Sequence, residues 1–397
     1  MKKILKNQKK QSKTKIFIIL SIVTIMIVGV LLLPVAKVNV AYAAEFNTDV
    51  THKASVLIEK NSGEILYENN SHDKLPIASV TKLMTMLLTL EKVDAGEISL
   101  EDKVMVSKNA NGMGGSQIFL DADTEYVLGD LLKSVIVASA NDSSVAIAEY
   151  IAGSENNFVR MMNERANELK LNDTNYSNCT GLPTADGYSS AYDQALLLRE
   201  VLNHEVYHNY SSIWLEDFVH PSGRTTQMAN TNKLSRFYEG CIGGKTGSTN
   251  QAKYCLAVGA KRADMELIAV VLGADNSKER FNLASNLLNY GFDNFEAKTL
   301  FDNTNVADMT IKIKGMDRST HIKAERNFTY VCKRGEDVNF ALQYNLPNML
   351  HSVKENQVVG NVEIVIDGKI VDKINLLATE THDEASVWDY FRELTSM

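Results

Sequence analysis

The sequence predicts an α+β protein in which an antiparallel sheet is flanked by helices and bears a mainly helical lobe, followed by a small all-β domain. Three observations carry this. Apolar residues recur at helical spacing from residue 80 to about 213, nearly continuous apolar runs follow at 254–258 and 267–272, and beyond about Phe295 the texture changes to alternation. Continuous apolar runs mark strands covered on both faces, and alternation marks strands with one wet face.

The start of the chain stands apart. Lys2, Lys3, Lys6, Lys9, Lys10, Lys13 and Lys15 precede an uncharged apolar run over residues 16–33, then Pro34, and Ala41-Tyr42-Ala43 offers a small-x-small cleavage site. Residues 1–43 therefore read as an export signal. The run is at the short end of what crosses a hydrocarbon core of roughly 30 Å, so an uncleaved anchor is the alternative. Either way the body lies outside. The segment carries eight Lys and no acid, which leaves 33 basic against 49 acidic residues and a formal charge of −16, against −8 for the whole chain. Such an acidic body argues against nucleic acid and against general attraction to anionic polymers or lipid, so local cations must hold an anionic substrate.

Two apolar-rich runs, 55–59 and 64–68, flank Asn61-Ser62-Gly63 and predict a hairpin. Helical stripes follow: Leu83, Leu87 and Leu90 after Ser79; Val145, Ala148 and Ile151 after Asn141; Phe158, Met162, Arg165 and Leu169 after Ser154; Ala195, Leu198 and Leu202 after Asp193. A last helix begins near Ser277 with Phe281, Ala284 and Leu288 on one stripe, and Gly291 is placed to stop it. In the all-β part Met309, Ile311 and Ile313 alternate with polar neighbours, and Val362, Ile364 and Ile366 precede an Asp367-Gly368 turn and Ile370. The divisions are thus 44–296 and 297–383, with a tail at 384–397 that sets Val387, Trp388, Phe391 and Leu394 at helical spacing. Cys179, Cys241, Cys255 and Cys332 read as free, buried thiols. A hairpin turning near Ser248 would set Cys241 opposite Cys255 and leave a disulfide geometrically open.

Three short motifs carry chemistry. In Ser79-Val80-Thr81-Lys82, serine and lysine three apart share a helix face, so a lysine amine of lowered pKa can take the hydroxyl proton. In Ser139-Ala140-Asn141, at a helix junction, Ser139 can pass a proton to a leaving amine and Asn141 can hold a peptide carbonyl. Lys245-Thr246-Gly247 enters a strand onto which an extended substrate can add, with Lys245 and Thr246 meeting a carboxylate and Gly247 allowing close approach. The backbone N–H groups of Ser79 and Ser248 would form an oxyanion hole. Taken singly, each motif has an ordinary reading as a helix start, a helix cap or a turn.

Together and in this order the motifs are those of penicillin-binding proteins and class A β-lactamases. The chain resembles the low-molecular-mass penicillin-binding proteins that are serine-type D-alanyl-D-alanine carboxypeptidases, over roughly residues 46–383. Further phrases carry the resemblance: residues 76–85, Gly181-Leu182-Pro183, Ala191-Tyr192-Asp193, residues 268–275, Val358-Val359-Gly360 and Asp367-Gly368-Lys369. The resemblance implies a β-lactamase/transpeptidase-like fold, a Ser79 acyl-enzyme without metal or cofactor, and acylation by β-lactam antibiotics. It also implies peptidoglycan stem pentapeptides ending in D-Ala-D-Ala as substrate, and Arg280 as a residue recognising the terminal carboxylate. Ala140 between Ser139 and Asn141, Ser248 where some relatives have His or Tyr, and Gly187 where many have His are departures that remove no group the mechanism needs, and they leave substrate preference open. The tail carries Glu384, Asp389 and Glu393 against one Arg392, which argues against membrane docking there, so membrane contact is expected only from the N-terminal segment.

Two rival motifs need weighing. His204-Glu205-Val206-Tyr207-His208 spells the zinc-protease pattern, but it sits at a helix end with no third ligand in a recognisable position. Glu168-Leu169-Lys170-Leu171-Asn172 resembles the segment supplying a hydrolytic glutamate in class A β-lactamases, yet Glu168 falls on the polar side of its helix. A β-lactamase and a non-catalytic wall-binding protein are therefore the alternatives, and the complete set of motifs disfavours the second.

Overall fold

The computed structural model describes residues 46–314 and 318–389, so the N-terminal segment and the tail positions Phe391 and Leu394 lie outside the described residues. The chain opens with β1 (Ala54–Glu59) and β2 (Ile65–Asn69), turns through a 3₁₀ segment at Ala78–Thr81, and enters α1 (Lys82–Asp94). The helical lobe follows with β3 (Lys103–Met105), α2 (Lys108–Asn111), β4 (Glu125–Val127), α3 (Leu128–Val137), α4 (Asn141–Ala152), α5 (Glu155–Glu168), α6 (Ala191–Val201) and α7 (Glu205–Ser211). Next come a hairpin of β5 (Leu215–Val219) and β6 (Thr225–Ala229), α8 (Leu234–Phe237), the strands β7 (Cys241–Thr249), β8 (Lys253–Arg262) and β9 (Met265–Ala274), and α9 (Ser277–Asn294).

β1 and β2 join the late strands in one antiparallel sheet of order β2-β1-β9-β8-β7, so segments as distant in sequence as Glu59 and Leu267 pair at its centre. Val56, Ile58, Ile268, Val270 and Leu272 face the main apolar core, which they share with α1, α3, α4 and α6. Their neighbours Leu57 and Leu267 face the other way, onto α9. Covering both faces is why β1 and β9 read as apolar runs without alternation. α9 runs on to Asn294, so Gly291 does not stop it. A Cβ there would lie 2.5 Å from Leu267 Cδ1 and 3.0 Å from Leu57 Cδ2, and the missing side chain instead lets the helix press against the sheet.

The last part comprises β10 (Phe295–Phe301), β11 (Thr310–Ile313), β12 (Ser319–Ala324), β13 (Phe328–Lys333), β14 (Phe340–Asn345), β15 (Met349–Leu350), β16 (Val358–Ile366) and β17 (Lys369–Ala378). Six of these form a sheet of order β14-β16-β17-β12-β11-β15, and β10 pairs with β13. Ile311, Ile313, Val362, Ile364 and Ile366 build a separate core beneath it. Ile366 pairs with Lys369 across the two-residue Asp367-Gly368 turn. Ile370 belongs to the exposed end of that hairpin, at 60% exposure, and not to the core.

Two further readings change. The β7–β8 hairpin closes with Thr249 opposite Lys253, beyond Ser248, which sets Cys241 against Ala260 and Cys255 against Gly247. All four cysteines are free thiols. The hairpin β5–β6 within the largely helical half gave no sequence signal, because only Phe218 and Met228 of its strands are buried.

Replacing Gly291 by Val is expected to destabilise the protein by about 1–3 kcal/mol through overpacking, outweighing a gain of a few tenths of a kcal/mol in helix propensity. Urea unfolding measures this, and an unchanged midpoint would show that α9 is not held against Leu267 there.

Candidate active site

The site is assembled where the 3₁₀ turn, the α3–α4 junction, the loop 178–182 and strand β7 converge. Ser79 sits in the 3₁₀ turn, partly exposed, and Lys82 begins α1 one turn later. Lys82 Nζ lies 3.0 Å from Ser79 Oγ and donates to Thr180 O at 2.6 Å, in a side chain with no exposed surface. Burial lowers its pKa to about 7, against the weaker upward pull of Cys179 and Asp142. An amine in that range can shed its proton near neutral pH and accept another from a hydroxyl in contact with it.

Close backbone packing fixes this pair. A Cβ at Gly181 would stand 2.0 Å from Ala78 O and 2.9 Å from Ser79 N, and one at Gly247 would stand 2.4 Å from Ile77 O and 3.0 Å from Ser79 N. Only glycine lets the loop and the strand touch the serine turn from two sides. Asn178 shapes the loop by accepting from the N–H groups of Thr180 and Gly181 at 3.1 and 2.6 Å, which aims the Thr180 carbonyl at Lys82. Ala78 adopts φ of +50°, a left-handed conformation that a non-glycine residue holds only under constraint.

Ser139 is likewise held at φ of +61° and is 3% exposed. Its Oγ accepts from Lys245 Nζ at 2.7 Å, and the same amine donates to Thr246 O at 2.9 Å. Lys245 is fully buried, and its pKa is pushed well below the ordinary lysine range by burial, then by the neighbouring Lys82 and Arg280. Lysine proximity therefore acts downward on Lys245, while burial dominates at Lys82. Asn141 Nδ2 donates to Gly114 O at 2.6 Å, and its Oδ1 is buried without a protein partner.

On edge strand β7, Thr246 and Gly247 are buried while Ser248 is exposed. Behind them, Arg280 donates through Nη1 to the carbonyls of Gly247 and Cys255 at 3.0 and 3.2 Å. Its guanidinium lies over the rings of Tyr254 and Phe281, its Nε has no protein partner, and burial lowers its pKa to about 10. A pocket beside the serine turn is lined by Ile77, Ala78, Leu182, Tyr188, Thr249 and Gln251 among others, none of them charged.

The rival motifs are used differently. His204 Nδ1 lies 2.6 Å from Asp94 Oδ2, and His208 Nε2 lies 2.9 Å from Leu202 O, so the two rings serve separate partners. Among the described residues, no group of three or more His, Cys, Asp or Glu could hold a metal ion. Tyr207, between them, supports strand β7, a role that the motif concealed. Its fully buried hydroxyl accepts from Gly244 N at 2.8 Å, at the entry to Lys245. Glu168 ends α5 and pairs with Arg165 at 2.8 Å, its side chain 64% exposed.

Residues 39–276 match the D-alanyl-D-alanine carboxypeptidase family, and residues 295–384 match the penicillin-binding protein 5 C-terminal domain. The chain is 37% identical over 366 residues to the D-alanyl-D-alanine carboxypeptidase DacF of Bacillus subtilis, covering 91% of this chain and 94% of the relative. It is 33% identical over 367 residues to DacC of Escherichia coli, covering 88% and 90%. The crystal structure of penicillin binding protein 5 from Haemophilus influenzae superposes with a TM-score of 0.71 at 29% identity, covering 86% of this chain and all of that one. Fold and site define a serine-type acyl-transfer hydrolase with an appended β domain. The chain belongs to the D-alanyl-D-alanine carboxypeptidase family.

Tyr207→Phe removes the acceptor for a buried N–H and is expected to cost about 1–3 kcal/mol of stability. Hydrogen exchange at the Gly244 amide should accelerate in the same variant. Wild-type exchange and stability together would show that the hydroxyl does not hold the strand.

Proposed function

We propose that the chain removes the terminal D-alanine from peptidoglycan stem pentapeptides through an acyl-enzyme on Ser79, and that β-lactams acylate the same oxygen. The observation that carries this reading is the 3.0 Å approach of a buried lysine amine, with pKa lowered to about 7, to a partly exposed serine hydroxyl. Neutral Lys82 takes the Ser79 proton as Oγ attacks the carbonyl of the penultimate residue. The peptide C–N bond breaks, and the leaving amine receives a proton through Ser139, which contacts Lys245. Water then hydrolyses the ester and frees Ser79.

The peptide lies along β7, where Lys245, Thr246 and Ser248 meet its carboxylate and Gly247 admits its backbone. A carboxylate arriving beside Lys245 favours that lysine's protonated form, against the downward push of burial. Asn141 orients the scissile peptide, and the Nε of Arg280 is a donor left over for the anion. The amides of Ser79 and Ser248 receive the oxyanion. The Lys-rich start and the apolar run at 16–33 support export, with the site working outside the cytoplasmic membrane. Among the described residues no helix is long and apolar enough to cross a membrane. The separate core of the β part supports treating 44–296 and 297–383 as two folding units.

Incubation with a fluorescent penicillin followed by peptide mapping should place the label on Ser79, and an adduct elsewhere would sink the mechanism. The acylation rate should fall with pH below a midpoint at about 7, because protonation of Lys82 removes the base, and should level off above it. A rate that stays flat from about pH 5.5 to 8.5 would exclude Lys82 as that base.

A further inference from the structure

The residue after Asn141 is a fully buried carboxylate that the chemistry above does not use. Asp142 has no exposed surface. Its oxygens accept from Ile118 N at 3.1 Å, Leu120 N at 3.1 Å and Ser143 N at 2.9 Å. Between the two gripped loop amides stands Phe119, 55% exposed and held at φ of +63°, a strained conformation for an aromatic residue. Outside the loop, the β5–β6 hairpin completes the grip: Arg224 Nη2 donates to Phe119 O at 2.6 Å and Thr226 Oγ1 to Ile118 O at 3.1 Å.

The gripped loop is joined to the site. Gly114 O receives the Asn141 side chain at 2.6 Å and Ser116 O receives the Asn141 backbone N–H at 2.7 Å. A Cβ at Gly115 would stand 2.8 Å from Asn141 Nδ2 and 3.8 Å from Leu182, so this stretch walls the site between α4 and the loop 178–182. Gly114, Gly115 and Ser116 are themselves exposed and have no apolar anchor of their own.

We propose that Asp142 is a positioning residue: by gripping the amides of Ile118 and Leu120 it fixes the 114–120 loop, and through that loop it sets the angle at which Asn141 meets the scissile peptide. This rests on the role proposed for Asn141. Electrostatics add a second consequence. Lys82 feels upward pulls from Cys179 and Asp142, but burial raises the Cys179 thiol well above its usual range and keeps it neutral, so Asp142 is the anion that acts on Lys82. The other charged groups near this cluster are Lys245, Arg280, Arg224, Asp121, which pairs with Arg224, and Glu155, which accepts from Cys179, while His220 has its pKa lowered by burial and Arg224 and feels weaker upward pulls from Asp121 and Asp142. Burial raises Asp142's own pKa, while the loop amides oppose that shift.

The test compares wild type with Asp142→Asn and Asp142→Glu, each checked for an intact fold by near-ultraviolet circular dichroism. D-alanine release is read as kcat and KM, and fluorescent-penicillin acylation as a pH profile. Both variants should lose about tenfold to a hundredfold in kcat for the peptide, with KM changing less, because the loss is one of orientation. Asp142→Asn should also move the acid midpoint of acylation to lower pH, since removing the anion favours neutral Lys82, while Asp142→Glu should leave the midpoint in place. A purely structural role would lower the melting temperature without moving the midpoint. Folded Asp142→Asn with peptide kcat within about twofold of wild type and an unmoved midpoint would overturn the proposal. Should Asp142→Asn not fold, Asp142→Glu decides: a lowered kcat supports the proposal and a wild-type kcat overturns it. Failure of wild type to label at Ser79 would instead strike the reading on which the proposal rests.

Discussion

Everything in the catalytic half is arranged around one unfavourable act, the burial of the Lys82 amine against Ser79. An isolated ammonium taken out of water is costly, and a protein escapes that cost by letting the group lose its proton. Here one donor bond is satisfied by the Thr180 carbonyl, and the remaining capacity of the nitrogen is turned to the serine. The enclosure is made by backbone and not by bulky side chains: Gly181 and Gly247 close on the serine turn from two sides, and Ala78 is bent into a left-handed conformation between them. A side chain at either glycine would push the walls apart and readmit the water whose exclusion lowers the amine's pKa.

The second buried lysine is coupled to the first. Lys82, Lys245 and Arg280 lie close enough to repel one another within an acidic body, and Asp142 is the carboxylate acting on Lys82 from within the buried cluster. In such a cluster each proton disfavours the next, and on the proposed mechanism this helps keep Lys82 available as a base.

How much of this was legible in the sequence follows from where each residue sits. Ser79 with Lys82, Ser139 with Asn141, and Lys245 to Gly247 stood out because each set is spaced along one turn or one strand, and the structure brings Lys82 Nζ to Ser79 Oγ and Lys245 Nζ to Ser139 Oγ. The central strands were legible because both their faces are covered, which removes alternation. Gly291 was misread because a glycine near a helix end usually marks a stop, and the sheet pressing on it from residues 57 and 267 is invisible along the chain. Tyr207 lay inside a zinc-protease pattern that pointed to the histidines on either side. Asp142 carries no sequence signal beyond its place in the first turn of a helix, and only the fold brings residues 118 and 120 onto its oxygens. The Thr180 carbonyl could not be found by side-chain reasoning, although Gly181-Leu182-Pro183 stood out as a phrase.

The claim that burial holds Lys82 ready to act as a base is tested most directly by observing its nitrogen. With ¹⁵N-labelled lysine, heteronuclear NMR of the Lys82 Nζ resonance, assigned by its loss in Lys82→Met, can be followed across pH in the free enzyme. The account expects a titration centred at about 7. A Lys82 resonance that stays protonated to about pH 10, the range of a lysine in water, would contradict it.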